Sequence, residues 1–328
     1  MNKRKVPGTA EKILIFLRAE KSGYVSGEAL SRKLLVTRTA VWKHVHALVK
    51  QGYSIGSSTR LGYRLTGSPD RLLAAEIREG LLTKYLGKEL YCYDEIGSTN
   101  ETAMKLAGTN TEEGAVVIAE KQNSGKGRLN RKWLSPAGAG LWFSVILRPR
   151  IAPRQATDLT FVAGLALVQA LHNFTGLEAG LKWPNDIFLD GKKVCGILTE
   201  INAGPDLVRH MALGIGINVN MSKAAFPAEI KDSATSLSLA AGREISRLGL
   251  LKEVLGQLEE KYELYKRDGF SSFIAEWKKR SVTLNKRVRI KGLAEEYEGF
   301  AVDINKDGGL VVRLDSGELK KVYSGDVT

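Results

Sequence analysis

Apolar residues recur along this 328-residue chain with changing spacing, and the changes divide it. Between positions 9 and 48 the spacing is three and four, which is helical. Ile13, Leu14 and Leu17 give an inner face to a first helix that Thr9 can cap, and Gly23 ends the turn behind it. Ala29, Leu30 and Leu34 do the same for a second helix, with Ser26 as cap and Glu28 at its positive end. Val41, Val45 and Leu48 line a third, capped by Thr37 after the short Leu35-Val36 turn. Two helices joined so tightly read as a helix-turn-helix. Tyrosine and aliphatic residues then alternate over 53–65 around a Gly/Ser-rich turn, which predicts a β-hairpin, or wing. Linker composition at 66–70 puts the boundary of a first domain at residues 1–66.

From Leu72 the pattern becomes strands interleaved with helices. Residues 116–119, 141–147, 194–199 and 211–219 are apolar without strict alternation, as in a covered sheet; 158–174 and 247–266 read as helices. In the latter, Leu248, Leu251, Leu255, Leu258, Tyr262 and Tyr265 form a core-facing stripe. An α/β or α+β domain over 67–279 is expected. Short strands return at 287–290, 298–304, 310–314 and 319–323, with Asp307-Gly308-Gly309 and Asp315-Ser316-Gly317 as hairpin turns, so 280–328 should form a small β-barrel. The whole chain reads as an α+β multidomain protein.

Composition narrows the compartment more than the activity. No run of eighteen apolar residues exists and the N-terminus lacks a signal-peptide core, so a cytoplasmic protein without membrane contact is expected. Cys92 and Cys195 sit in apolar contexts that suit free thiols, and His44, His46, His172 and His210 form no metal-binding spacing. The net charge of +13 is uneven: residues 1–66 hold thirteen Lys/Arg against Glu11, Glu20 and Glu28. A basic helix-turn-helix points to DNA, because phosphate neutralisation supplies much of DNA affinity. Arg38, Thr39, Lys43 and His46 fall on the outer face of the third helix, and Arg60 falls at the wing tip. A small helical domain used for protein contacts is the alternative.

Three polar clusters interrupt the central domain. Residues 121–133 put five cations, Gly125, Gly127 and Trp133 into one loop, a composition suited to an anion and a stacked base. It matches neither a P-loop nor a dinucleotide fingerprint, and a solvated basic hairpin would look the same. Lys182-Trp183-Pro184-Asn185-Asp186 places a lysine beside apolar neighbours, where an anion would offset its burial; a strand-turn-strand with a surface lysine is the plain alternative. Ser98-Thr99-Asn100 precedes a short helix over 101–106, as an N-cap or as ligand contacts.

Taken in order with Cys195-Gly196-Ile197-Leu198-Thr199-Glu200, these clusters resemble the motifs of biotin protein ligases, and the helix-turn-helix in front resembles the class that also represses the biotin operon. The resemblance spans the chain. It implies a central domain like that of class II synthetases, an SH3-like C-terminal barrel, and two steps: biotin and ATP, with Mg2+, give biotinyl-5'-AMP, and biotin then passes to a lysine of a biotin carboxyl carrier protein such as the acetyl-CoA carboxylase subunit. Biotinyl-5'-AMP would also be the corepressor, promoting a homodimer on operator DNA. By the same resemblance Ser98, Thr99, Asn100 and Gln122 contact biotin, Lys126, Gly127 and Arg128 wrap carboxylate and phosphate, and Lys182 with Arg128 is catalytic. Gly125, Arg131, Trp133, Asn185 and Asn218 would hold the adenylate, with the loop through Pro227 closing over it. The family loop usually reads Gly-Arg-Gly-Arg-Arg-Gly-Arg; here Lys126 replaces the first arginine and Leu129-Asn130 replace Arg-Gly, which bears on loop mobility and adenylate retention. The Leu-Arg that often follows Gly325-Asp326-Val327-Thr328 in relatives is missing. Two other classes stay open: a transcription factor with biotin or a nucleotide only as effector, and a lipoate ligase.

Overall fold

The computed structural model describes residues 8–20, 23–292 and 296–328; Lys3, Arg4, Lys5 and Lys21 of the N-terminal charge excess lie outside the described residues. Two compact units emerge, Met1–Arg71 and Leu72–Thr328.

In the first unit, helices α1 (Thr9–Ala19), α2 (Gly27–Leu34) and α3 (Arg38–Lys50) precede a hairpin of β1 (Ser54–Ser58) and β2 (Gly62–Gly67). Ile13, Leu14, Leu17, Leu30, Val41, Val45 and Leu48 are buried between the helices. Ser26 Oγ accepts from Ala29 N at 3.0 Å and Thr37 Oγ1 from Ala40 N at 3.1 Å, so both expected caps form. Thr9 does not cap: α1 starts one residue earlier in register, with Gly8 at the cap position and no side-chain bond.

The second unit carries α4 (Ala74–Arg78), β3 (Leu90–Ile96), α5 (Thr99–Ala107), β4 (Val116–Gln122), β5 (Gly140–Leu147), α6 (Ala156–Thr175), β6 (Gly180–Lys182), β7 (Asp186–Leu189), β8 (Lys192–Ala203), β9 (Val208–Asn218), α7 (Leu237–Ala241), α8 (Arg247–Asp268) and α9 (Ser271–Arg280). Strands order as β3-β4-β5-β9-β8-β7-β6, antiparallel except for β3 with β4. Alternation sorts the faces. Val116, Ile118, Leu213 and Ile215 join the core with α6 and α8, whereas Val117, Ile146 and Ala212 pack against Ala103 and Ala107 of α5. The sheet is thus covered on both sides, which explains why β5 is buried throughout and apolar but for Ser144.

The chain ends in β10 (Lys286–Lys291), β11 (Glu296–Ile304), β12 (Leu310–Arg313), β13 (Leu319–Val322) and β14 (Asp326–Val327). They form an open antiparallel sheet, β13-β12-β11-β10-β14, rather than a closed barrel: edge strands β13 and β14 do not pair, and β14 spans only two residues. Its apolar face, including Val288, Ile290, Leu310 and Val312, is continuous with the central core. Trp183 fastens it: the buried indole donates Nε1–H to the Gly308 carbonyl at 3.0 Å.

Candidate active site

The N-terminus of α5, the end of β4 and the middle of β8 and β9 enclose one side of a cavity of about 450 Å³. Its polar floor is a chain of hydrogen bonds. Gln122 Oε1 accepts from Thr99 N at 2.8 Å and from Thr99 Oγ1 at 3.1 Å, and Gln122 Nε2 donates to Ser135 Oγ at 2.9 Å. Ser144 Oγ lies 2.8 Å from Thr99 Oγ1 and donates to Asn100 Oδ1 at 2.6 Å. Asn100 Nδ2 donates in turn to Leu198 O and Glu200 Oε2 at 3.1 and 2.8 Å. Ser98 lines the cavity and its hydroxyl caps α5. All three residues of the Ser98–Asn100 cluster are buried. The bland reading of that motif as an N-cap and the functional one coexist, because the capped helix end faces the cavity. Asn100, with both ends of its amide engaged, is suited to holding its neighbours in place.

The basic loop forms the facing wall and is closed by its own backbone. Gly127 N donates to Arg131 O at 2.7 Å and Trp133 N to Gly125 O at 2.8 Å. Gly127 lines the cavity, and its N–H is taken up by the hairpin. Gly125 is absent from the cavity lining and serves the fold, since a Cβ there would meet Trp133 O at 2.6 Å. Lys126 reaches back to pair with Glu101, whose carboxyl its hydrogen bond holds below the usual range. Leu129 and Asn130 both take left-handed backbone, φ 54° and 56°, at the positions where the chain departs from the family pattern. Asparagine tolerates this better than leucine does. The indole of Trp133 lies on Gly216, where a Cβ would come within 2.4 Å of Nε1, so glycine is what lets the ring pack onto the strand.

Lys182 lines a second chamber, also about 450 Å³, rather than the first. Arg128, Arg131, Asn185, Asp186 and Asp326 border both. Arg128 Nη1 donates to Asn185 Oδ1 at 3.2 Å and to Gly325 O at 3.4 Å, while Asn185 Nδ2 is fixed on Ile197 O at 2.8 Å. Burial holds the Lys182 ammonium and the Arg128 guanidinium below their ordinary pKa, with Asp186 pulling Lys182 part of the way back. Lys182 Nζ sits 4.8 Å over the Phe188 ring. Asn218 Nδ2 donates to Thr235 O at 3.0 Å, which ties β9 to the segment that carries Ser233 and Ala234 into the lining of the first cavity.

Several residues here gave no signal in the sequence reading. Ser144 is the exception in principle, a lone hydroxyl in the apolar run Leu141–Leu147 that could have been read as a buried polar partner. Lys193, 2.7 Å from Asp186 and 5.3 Å over Trp133, and Asp326, which pairs with Arg131, are placed by the fold alone. Among the described residues no three His, Cys, Asp or Glu side chains converge as a metal set. No described helix is long and apolar enough to cross a membrane. On the first unit Arg38, Thr39, Lys43 and His46 are exposed along α3 and Arg60 is exposed between β1 and β2; Trp42 joins them, half exposed and 4.2 Å from the His46 ring.

Residues 94–218 match the Biotin/lipoate A/B protein ligase family, 9–64 an HTH domain and 283–328 the Biotin protein ligase C terminal domain. The chain is 41% identical over 320 residues to the bifunctional ligase/repressor BirA of Bacillus subtilis (strain 168), covering 97% of this chain and 98% of that protein. The Escherichia coli (strain K12) bifunctional ligase/repressor BirA is 29% identical, over 92% of both chains. Among solved structures, the biotin protein ligase from Aquifex aeolicus in complex with biotin and ATP superposes with a TM-score of 0.64 at 33% identity, over 74% of this chain and 98% of that one.

Proposed function

The chain belongs to the biotin protein ligase family, in its bifunctional ligase/repressor class, and from that premise we propose how its residues divide the work. The protein is an ATP-dependent biotin protein ligase and a biotin-responsive repressor of transcription. Biotin occupies the cavity floored by Ser98, Thr99 and Gln122, with Asn100 and Ser144 holding that floor. Adenine lies against Trp133 under the loop that Asn218 anchors. A biotin carboxylate oxygen attacks the α-phosphorus of ATP, the bond from that phosphorus to the α,β-bridging oxygen breaks, and its electron pair leaves with pyrophosphate. Negative charge builds at the junction of the two chambers. Arg128 borders both chambers and Lys182 lines the second, each partly buried, so their charge is in place before the reaction and less screened than in bulk water. The lysine amine of the carrier then attacks the biotinyl carbonyl and AMP leaves. Magnesium belongs to this chemistry as the metal–ATP chelate, which would neutralise phosphate charge; among the described residues no three His, Cys, Asp or Glu side chains converge to hold it, and Lys126–Gly127 would serve by shaping the loop.

The observation that carries this reading is the half-buried Lys182, without an ion pair among the described residues, in a chamber that Arg128 also lines, next to a pre-bonded polar floor. For the repressor half, biotinyl-5'-AMP held in the cavity favours a homodimer whose two α3 helices present Arg38, Thr39, Lys43 and His46 to successive half-sites of operator DNA, with Arg60 on the backbone. Incubation with ATP, magnesium, labelled biotin and a biotin carboxyl carrier domain should give covalent label, and labelled lipoate should not. Label from lipoate, or none from biotin, contradicts the assignment. Retardation of biotin-gene control DNA should need biotin plus ATP and weaken steeply with salt; salt-insensitive binding would count against the basic face.

A further inference from the structure

Helix α3 exposes an indole among its cations. Arg38, Trp42 and His46 follow one another at spacings of four and so share a stripe, with Thr39 and Lys43 beside it, while Val41, Val45 and Leu48 turn into the core. Trp42 is 51% exposed. The His46 ring lies 4.2 Å away, tilted by 55°, so the indole is held from one side and left open on the rest. An aromatic surface kept in water on a helix whose core face is already filled has a use for an occupant. The surroundings say of what kind. From Arg38 to Lys50 the helix contains no Asp or Glu, whereas Arg32 of α2 is answered by Glu28 at 2.7 Å. The next exposed large apolar residue on α3 is Val49, near its other end. The core of a protein–protein interface is poor in charge, so it would place apolar neighbours around such an anchor. A frame of Arg38, Thr39, Lys43 and His46 suits a polyanion instead.

We propose that Trp42 reads a base: its open face packs on the 5-methyl group of a thymine in the major groove, with His46 orienting the ring. The inference rests on the repressor reading above and adds to it a residue that discriminates between sequences. Arg38, Thr39 and Lys43 can meet phosphates and the polar edges of bases, and the phosphate contacts fix the helix in register without telling one sequence from another. The thymine methyl is the apolar feature that base edges present in the major groove. It is therefore the group to which an indole in this cationic frame can respond.

Deoxyuridine in place of thymine removes the methyl group and nothing else, so it tests the contact from the DNA side. The full-length protein, with biotin and ATP, is titrated onto biotin-gene control DNA in which the thymines are replaced one at a time. At one thymine in each half-site the replacement should weaken binding about fourfold, the effect of exposing one buried methyl. Trp42→Ala should weaken binding to the unaltered DNA about tenfold and should lose nothing further at that same thymine, while Trp42→Phe keeps part of the sensitivity. Affinity for unrelated DNA should stay within about twofold, and biotin transfer to the carrier should not change. A parent protein indifferent to every thymine methyl would overturn the proposal, as would losses from Trp42→Ala and deoxyuridine that simply add at every position. Weaker self-association of Trp42→Ala in the absence of DNA, seen by sedimentation, would also overturn it and make the indole a protein contact. Failure of the repressor reading looks different: the parent protein would then not retard the control DNA at all.

Discussion

On the floor of the first cavity nearly every polar group already has a partner, whereas in the adjoining chamber Lys182 and Arg128 have no ion pair among the described residues. Thr99, Gln122, Ser135, Ser144 and Asn100 are joined bond to bond, with distances between 2.6 and 3.1 Å. Lys182 and Arg128, by contrast, are held in partial burial that lowers their pKa, and Asp186 answers Lys182 only in part. A ligand ring with fixed donors and acceptors is best met by a floor fixed in advance, because the ordering entropy is spent on folding. A transition state is best met by charge that is poorly satisfied until it forms, since only the difference from the ground state speeds the reaction. On the proposed function, the contrast gives recognition to one chamber and rate to the other.

The hardest blow to the comparison would come at Lys182. Lys182→Ala should lower the rate constant for adenylate formation by about 10² to 10³ while leaving the KM for biotin within a few-fold; rapid-quench kinetics separate the two. A buried charge outside both chambers calibrates what such burial costs. Asp158, in the first turn of α6, is pushed up to about 6 by burial, with Tyr265 at 3.3 Å pulling the other way and Asp307 adding to the rise. Its folded pKa lies above the unfolded value near 3.9, so the folded state binds more protons between the two, and stability falls as pH rises from about 4 to about 6 and stays lower above that. Asp158→Asn should match the parent near pH 4 and be more stable at pH 8 by about 2 kcal/mol, read as a rise in melting temperature of several degrees. A gain at acid pH instead would reverse the sign of the argument.

Smaller effects belong to the bonded floor. Gln122→Ala should raise the KM for biotin about tenfold, with little change in rate at saturation, because it strips the Thr99 N–H of its acceptor as well as removing a ligand contact. Ser144→Ala, which removes a fully buried hydroxyl from the floor's underside, should cost about 1 kcal/mol of stability and move the biotin KM only a few-fold. Equal effects of the two on biotin binding would mean that the floor acts through its network and not through contact.

How much of this was legible in the chain follows from how far apart the partners lie. The helix caps at Ser26 and Thr37, the core stripe of α8 and the apolar strands are local, and residue pattern sufficed for them. Lys182 stood out because a lysine among apolar neighbours needs a reason, and it lines the second chamber. Neither Asp326 nor Lys291 could do so: they reach the loop at Arg131 and the chamber only because the C-terminal sheet docks on Trp183 through Gly308. Gly125 and Gly127 have structural duties that the pattern did not show. Glycine in a basic loop suits an anion cradle, but here Gly125 makes room for the Trp133 carbonyl and Gly127 closes the hairpin.

The division of labour between the chambers is tested most directly by single-turnover adenylate formation with biotin and ATP both saturating, in Lys182→Ala and Gln122→Ala side by side. Saturation should bring Gln122→Ala to within a few-fold of the parent rate and leave Lys182→Ala slower by about 10² to 10³. Recovery of Lys182→Ala at saturation, or an equally slow Gln122→Ala, would contradict it.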